Sequence, residues 1–105
     1  SKKSMFPSVE LLPGMILSNE PGYYKEGEYG IRIENIIVVK EDKENQLTFE
    51  NITWAPIDRE LINSDMLSKK ELNWLNDYHS KVFEKIAGFL TLEEKNWLQK
   101  VTKPL

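Results

Sequence analysis

Apolar positions follow two different rhythms along the chain. Up to Trp54 they come in short runs and alternations; beyond Ser68 they recur every three or four residues. Met15-Ile16-Leu17, behind the turn signal Pro13-Gly14, reads as a short buried strand that Pro21-Gly22 breaks. The glycine- and tyrosine-rich stretch from Gly22 to Gly30 reads as a loop between strands. Ile31 to Val39 is dense in β-branched residues and predicts a second strand, with Ile31 and Ile33 on one face and Arg32 and Glu34 on the other. Lys40-Glu41-Asp42-Lys43-Glu44-Asn45 is a solvated hairpin turn. Gln46 to Trp54 returns as a third strand, in which Leu47, Phe49 and Asn51 alternate with Thr48, Glu50 and Ile52. An antiparallel sheet of about three strands is the economical arrangement.

Pro56 closes the strand region, and Asp58 to Ile62 predicts one helical turn. Ser68-Lys69-Lys70-Glu71 has capping-box spacing, in which the serine oxygen and the glutamate each satisfy a free backbone N–H. The helix it opens carries Leu72, Leu75, Tyr78 or His79, Val82, Phe83 and Ile86, with Gly88 as its stop. Thr91-Leu92-Glu93-Glu94 repeats the box before a shorter helix bearing Trp97, Leu98 and Val101, which Pro104 ends. The predicted fold class is α+β, with strands over about 14–56 and two helices over about 68–103, in one domain spanning 1–105.

Composition narrows the chemistry. At 105 residues the chain suits one small domain with a modest core, and 40% apolar with 30% charged content is globular. It has no cysteine, which excludes disulfides, zinc knuckles and thiol nucleophiles, and only one histidine, His79. Fourteen basic against seventeen acidic residues give a net charge of −3 without a basic stripe, so neither nucleic acid nor an anionic membrane is an expected partner. Apolar runs such as Ile36–Val39 fall far short of the ~20 residues of a membrane helix. The polar Ser1-Lys2-Lys3-Ser4 reads as a frayed end and does not resemble an address, and a cytoplasmic location is expected.

Two acids stand out by their setting. Glu20 ends a buried-looking strand, and Glu34 lies in the most apolar one. A carboxylate so placed is costly unless it is paired, hydrogen-bonded or bound to a metal. Residue spacing leaves two readings open: Glu34 pairs with Arg32 while Glu20 caps a turn, or both bind metal.

The surrounding words add a resemblance. Leu12-Pro13-Gly14-Met15, Ser18-Asn19-Glu20-Pro21-Gly22-Tyr23-Tyr24 and Gly30-Ile31-Arg32-Ile33-Glu34-Asn35 closely resemble the carboxy-terminal part of aminopeptidase P, the Xaa-Pro aminopeptidase of the pita-bread metallopeptidases. The likeness continues through Leu47 to Thr53, Pro56-Ile57-Asp58 and Trp74 to His79. It ends in Trp97-Leu98 and Thr102-Lys103-Pro104-Leu105, which resemble the terminus of the cytosolic branch. The resemblance implies the C-terminal portion of a pita-bread fold. It further implies a centre of two divalent ions, usually manganese, held by two aspartates, one histidine and two glutamates. Glu20 and Glu34 match the two glutamates; Arg32 and Tyr24 match positions close to the metals, as supporting groups. The implied substrate is a peptide with proline second. Hard oxygen ligands suit manganese, and two ions sharing one water suit attack on a peptide carbonyl.

The other three ligands of that pattern have no counterpart. No aspartate precedes Asp42, and His79 lies in the tail, outside the ligand words. His79 is therefore expected to be a helix-face residue, partly buried or facing solvent. The chain alone is expected to bind metal weakly and to lack peptidase activity, as a carboxy-terminal fragment. Its strand edges and the Ile36–Val39 face are expected to be exposed and to drive self-association. Two rival readings remain. One is a structural module that oligomerises or docks onto a full-length peptidase. The other is a peptide-docking surface built from Trp54, Tyr23, Tyr24 and Tyr29. Asn51-Ile52-Thr53 fits the glycosylation triplet but sits on a predicted strand, and reads as chance.

Overall fold

The computed structural model describes residues 8–105, so the expected frayed end Ser1–Ser4 lies outside the described residues. Five strands precede two helices: β1 (Ile16–Asn19), β2 (Gly22–Lys25), β3 (Tyr29–Arg32), β4 (Asn35–Glu41), β5 (Leu47–Asn51), α1 (Lys69–Ile86) and α2 (Leu92–Val101). The α+β class and the three-stranded antiparallel sheet are as expected, in the order β1-β4-β5. The strands and helices divide into two compact units, one ending at Thr53 and one beginning at Trp54.

In the first unit the Gly22–Gly30 stretch is an ordered hairpin rather than a loop: β2 pairs with β3 in a second, two-stranded sheet. Glycine and tyrosine content suggested irregular backbone, but Gly27, at φ 72°, turns the chain tightly enough for the flanking residues to pair. The Ile31–Val39 run is likewise broken, with Ile33 and Glu34 outside both strands. Register explains how the pieces fit. Ile16 faces Val38 and Asn19 faces Asn35; beyond the break Gly22 faces Arg32 and Lys25 faces Tyr29. The Ile33 amide donates to the Pro21 carbonyl at 3.2 Å, so the count runs on through the break. The two sheets are therefore parts of one long antiparallel ribbon, interrupted where Glu20 and Glu34 occupy facing positions.

Other ties fix the ribbon's base. Leu12-Pro13-Gly14-Met15 forms the expected turn, with Gly14 at φ 90° and the Met15 amide bonded to the Leu12 carbonyl at 3.1 Å. Asp42 Oδ1 accepts from the amides of Glu44 and Gln46 at 2.8 and 2.9 Å, closing the expected hairpin turn. Asn51 accepts from Asn35 Nδ2 at 2.9 Å and donates to the Thr53 carbonyl at 2.7 Å. These bonds give Asn51 a structural role, in keeping with reading the glycosylation triplet as chance.

The second unit encloses its own core. Both capping boxes form, with Ser68 and Glu71 at α1 and Thr91 and Glu94 at α2. The α1 residues Leu75, Tyr78, His79 and Val82 are buried at helical spacing, and Tyr78 and Val82 cluster with Ala87 and Leu98. Gly88 stops α1 as expected, within a 3-10 turn over Ala87–Phe89. The expected turn near Asp58 is a 3-10 turn over Arg59–Leu61, and another follows over Ser64–Met66. No helix among the described residues is long and apolar enough to cross a membrane.

Two expectations about burial need correction. Ile36, Ile37 and Val38 are half-buried and Val39 is fully buried, so this is not the exposed face. Exposed apolar side chains of the first unit include instead Ile16, Leu47, Phe49 and those of the β2–β3 hairpin. His79 is fully buried rather than partly so or solvent-facing. The Ile57 amide donates to its Nε2 at 3.0 Å, so the imidazole is neutral with its proton on Nδ1. Helical spacing alone could not separate Tyr78 from His79 as the inward residue; both are inward.

Candidate metal centre

The ribbon's alternation places the candidate residues on one side. Glu20, Gly22 and Tyr24 lie at every second position of one arm, and Gly30, Arg32 and Glu34 do so on the other. Tyr24 faces Gly30, and Gly22 faces Arg32. The Tyr24 ring leans back along its own strand across both glycines. A Cβ placed on Gly22 would lie 2.7 Å from the Tyr24 hydroxyl oxygen, and one on Gly30 would lie 2.7 Å from its Cδ1. The phenol end is thus laid beside Arg32.

Arg32 gathers the other three residues. Its guanidinium is held above its ordinary range first by a side-chain hydrogen bond with Tyr24, then by the electrostatic pull of the Tyr24 oxygen and of the Glu34 and Glu20 carboxylates. A guanidinium has no acceptor, so Arg32 donates to the Tyr24 hydroxyl oxygen and leaves the phenolic proton free to donate elsewhere. Arg32 Nε lies 3.7 Å from Glu34 Oε2. This ion pair is open to solvent and adds little stability. Sequence placed Glu34 inside a strand; the structure puts it in the break, where its carboxylate is exposed rather than buried. Glu20 likewise follows a strand that is mostly exposed. Burial therefore does not explain either acid.

The structure brings Glu20, Tyr24, Arg32 and Glu34 together. The donor chemistry fits a hard divalent cation, since two unprotonated carboxylates suit manganese or magnesium. It amounts to part of a ligand set: among the described residues no three His, Cys, Asp or Glu side chains converge. His79 belongs to the second unit's core. The residues that sequence reasoning overlooked are Gly22 and Gly30, whose facing pattern with Tyr24 and Arg32 emerges only from the strand register.

The aromatic residues of the rival reading are divided between the two units. Tyr23 and Tyr29 pack at 6.0 Å, while Tyr24, one position along, belongs to the opposite ribbon face. Trp54 stacks on Tyr78 at 5.7 Å within the second unit.

A pair of facing carboxylates at a strand break, one of them paired with an arginine, accords with the comparisons. Residues 45–105 match the family model described as the C-terminal region of peptidase_M24, and residues 3–41 match that of metallopeptidase family M24. The chain belongs to the M24 metallopeptidase family. Among its relatives, the probable Xaa-Pro aminopeptidase P of Talaromyces marneffei is 44% identical over 95% of this chain and 17% of that protein. The corresponding protein of Tuber melanosporum is 45% identical over 95% of this chain and 18% of its own length. In structure, the chain is similar to the X-prolyl aminopeptidase of Caenorhabditis elegans, described as a cytosolic enzyme with a di-nuclear active site. The TM-score is 0.79 and the identity 34%, covering 90% of this chain and 17% of that one. The resemblance to aminopeptidase P is thus borne out, while the chain spans under a fifth of the length of these relatives.

Proposed function

We propose that this chain is the carboxy-terminal portion of the catalytic domain of a dinuclear-metal Xaa-Pro aminopeptidase, which removes the first residue from peptides with proline second. In that reading Glu20 and Glu34 supply two of the metal ligands, with manganese as the metal and a cytoplasmic site of action. The single observation that supports it is the strand break at which Glu20 and Glu34 occupy facing positions, with Arg32 paired to Glu34 at 3.7 Å.

Bound to such carboxylates, two divalent ions supply Lewis acidity toward a peptide carbonyl and acidify water. Arg32 sets a positive charge beside the two facing carboxylates and offsets their mutual repulsion. Tyr24, its oxygen already accepting from Arg32, presents a phenolic proton to a substrate carbonyl or developing negative charge. These groups orient and stabilise charge; none of them serves as a base.

The chain taken alone is inactive in this reading, because the donors form only part of a site. Incubated with manganese chloride and an Xaa-Pro peptide, it is expected to release no amino acid. Metal-dependent release overturns that expectation. Manganese should nevertheless bind weakly, seen as loss of the free-ion spin-resonance signal, and Glu20→Gln or Glu34→Gln should abolish it. Unchanged binding in both variants would remove the ligand assignment.

Self-association accompanies this reading. The outer edge of β5 is unpaired among the described residues, with Leu47 48% and Phe49 58% exposed, which favours pairing with a second copy. Light scattering at high micromolar concentration is expected to show a dimer or larger species; a clean monomer counts against it.

A further inference from the structure

The two glycines under the Tyr24 ring carry a role that neither the metal reading nor the ion pairs account for. They occupy two corners of a four-residue patch on one ribbon face, with Tyr24 and Arg32 at the other two. Tyr24 is directly opposite Gly30, and Arg32 is directly opposite Gly22. The ring lies low over this patch: its hydroxyl oxygen, Cζ and Cε2 come within 2.9 Å of a Gly22 Cβ position, and its Cδ1 within 2.7 Å of a Gly30 one. Real Cβ atoms do not approach other atoms so closely, so a side chain at either position displaces the ring. Gly22 and Gly30 are not needed for an unusual backbone, since neither has positive φ. Space above the backbone is what they provide.

We propose that Gly22 and Gly30 are positioning residues: together they form a floor that lays Tyr24 diagonally across the hairpin, so that its hydroxyl meets Arg32 and fixes the guanidinium beside Glu34 and Glu20. Tilted up by a methyl group at either position, the ring carries its oxygen away from the backbone and Arg32 loses its neutral partner. The arginine is then free to swing about its ion pair with Glu34, whose 3.7 Å separation and solvent exposure restrain it little. The catalytic relevance of this arrangement rests on the proposed function above; the positioning itself does not.

The test uses the 15N-labelled 105-residue chain and reads solvent exchange of the Arg32 guanidinium N–H groups, a quantity that general stability does not set for an exposed side chain. In Gly30→Ala and in Tyr24→Phe, this exchange is expected to speed up about fivefold, the factor that corresponds to losing one hydrogen bond of about 1 kcal/mol. The double variant should exchange no faster than either single one, because both changes remove the same bond. Gly88→Ala, where a Cβ meets nothing within 4 Å, should exchange as the parent does. Cross-strand contacts between Tyr23 and Ile31 report whether the hairpin persists. If Gly30→Ala loses them, Gly22→Ala and Tyr24→Phe carry the test. Parental exchange in the glycine variants with the hairpin intact, or additive effects in the double variant, overturns the proposal. Paramagnetic broadening around residues 20 and 34 on adding manganese chloride tests the metal reading separately. Its absence defeats that reading while leaving the exchange result to decide the positioning.

Discussion

The two halves of the chain divide labour unequally. The unit from Trp54 onward gathers Tyr78, Val82, Ala87 and Leu98 into a closed apolar cluster and pins its ends with side-chain caps. In the unit ending at Thr53, Val39 is the one buried hydrophobic among the described residues, and both strands of the β2–β3 hairpin are exposed throughout. Yet the candidate chemistry lies in that exposed half. The helical unit also leaves Met66, Phe89 and Leu92 exposed, so what separates the halves is a closed apolar cluster in one and its lack among the described residues of the other. A ribbon that presents carboxylates must leave them accessible, and its own apolar side chains share that exposure.

The sharpest way to break this contrast is to cut the helical core. Leu98 is 2% exposed, and Leu98→Ala is expected to cost about 2–5 kcal/mol, read as a lowered urea midpoint. A small effect would mean that the second unit does not hold itself together.

Acid should act on the same half. Burial first, and then the Arg59 charge, push His79 below its ordinary value of 6.5. The unfolded chain thus takes up the proton first as pH falls. The stabilisation is complete above about 6.5 and fades as pH drops toward the lower folded value. Protonation would also put a hydrogen on Nε2, against the Ile57 amide. The urea midpoint of the parent should fall between pH 7 and about 5. His79→Gln, which keeps an acceptor for Ile57, should show a shallower fall; equal slopes would reject His79 as the sensor.

A smaller effect is expected at the caps. Ser68→Ala removes one half of the α1 capping box and should cost about 1 kcal/mol, with faster amide exchange confined to the first turn. The Glu71 and Glu94 carboxyls are held below their ordinary range by hydrogen bonds from Ser68 and Thr91. Their contribution is therefore present above about pH 4.5 and lost only as pH falls below that. Smallest of all, Phe49→Ala on the exposed β5 should shift the midpoint by no more than about 0.5 kcal/mol. A large loss there would show that the ribbon depends on a partner surface.

The same division governs what the sequence makes legible. Both helices could be read to within a few residues because their signals are local: a serine or threonine, a glutamate three residues on, and apolar spacing. Glu20, Tyr24, Arg32 and Glu34 stand out as candidates through the words around them. Their convergence was not legible there, because it depends on pairing between arms that meet only after the hairpin turns. Glycine content made Gly22–Gly30 look like loop, since composition cannot distinguish a residue needed for a turn from one needed for a bare surface. The Ile31–Val39 run looked continuous because β-branched residues favour a strand on either side of a break. The full burial of His79, expected to be partly buried or facing solvent, was not legible because its partner, the Ile57 amide, lies 22 residues away in the chain.

The hairpin tip at Glu26-Gly27-Glu28 offers a practical handle. It is exposed, closed by the Glu28 amide on the Lys25 carbonyl at 3.0 Å, and lies at the far end of the ribbon from the facing carboxylates. Residues grafted between Lys25 and Tyr29 lengthen the tip and leave every pair below it in step. One residue removed between Glu20 and Tyr24 slides one arm past the other and turns alternate side chains to the opposite face. Tags, spectroscopic labels or binding peptides therefore belong at the tip, whereas the short arms do not tolerate a change in length.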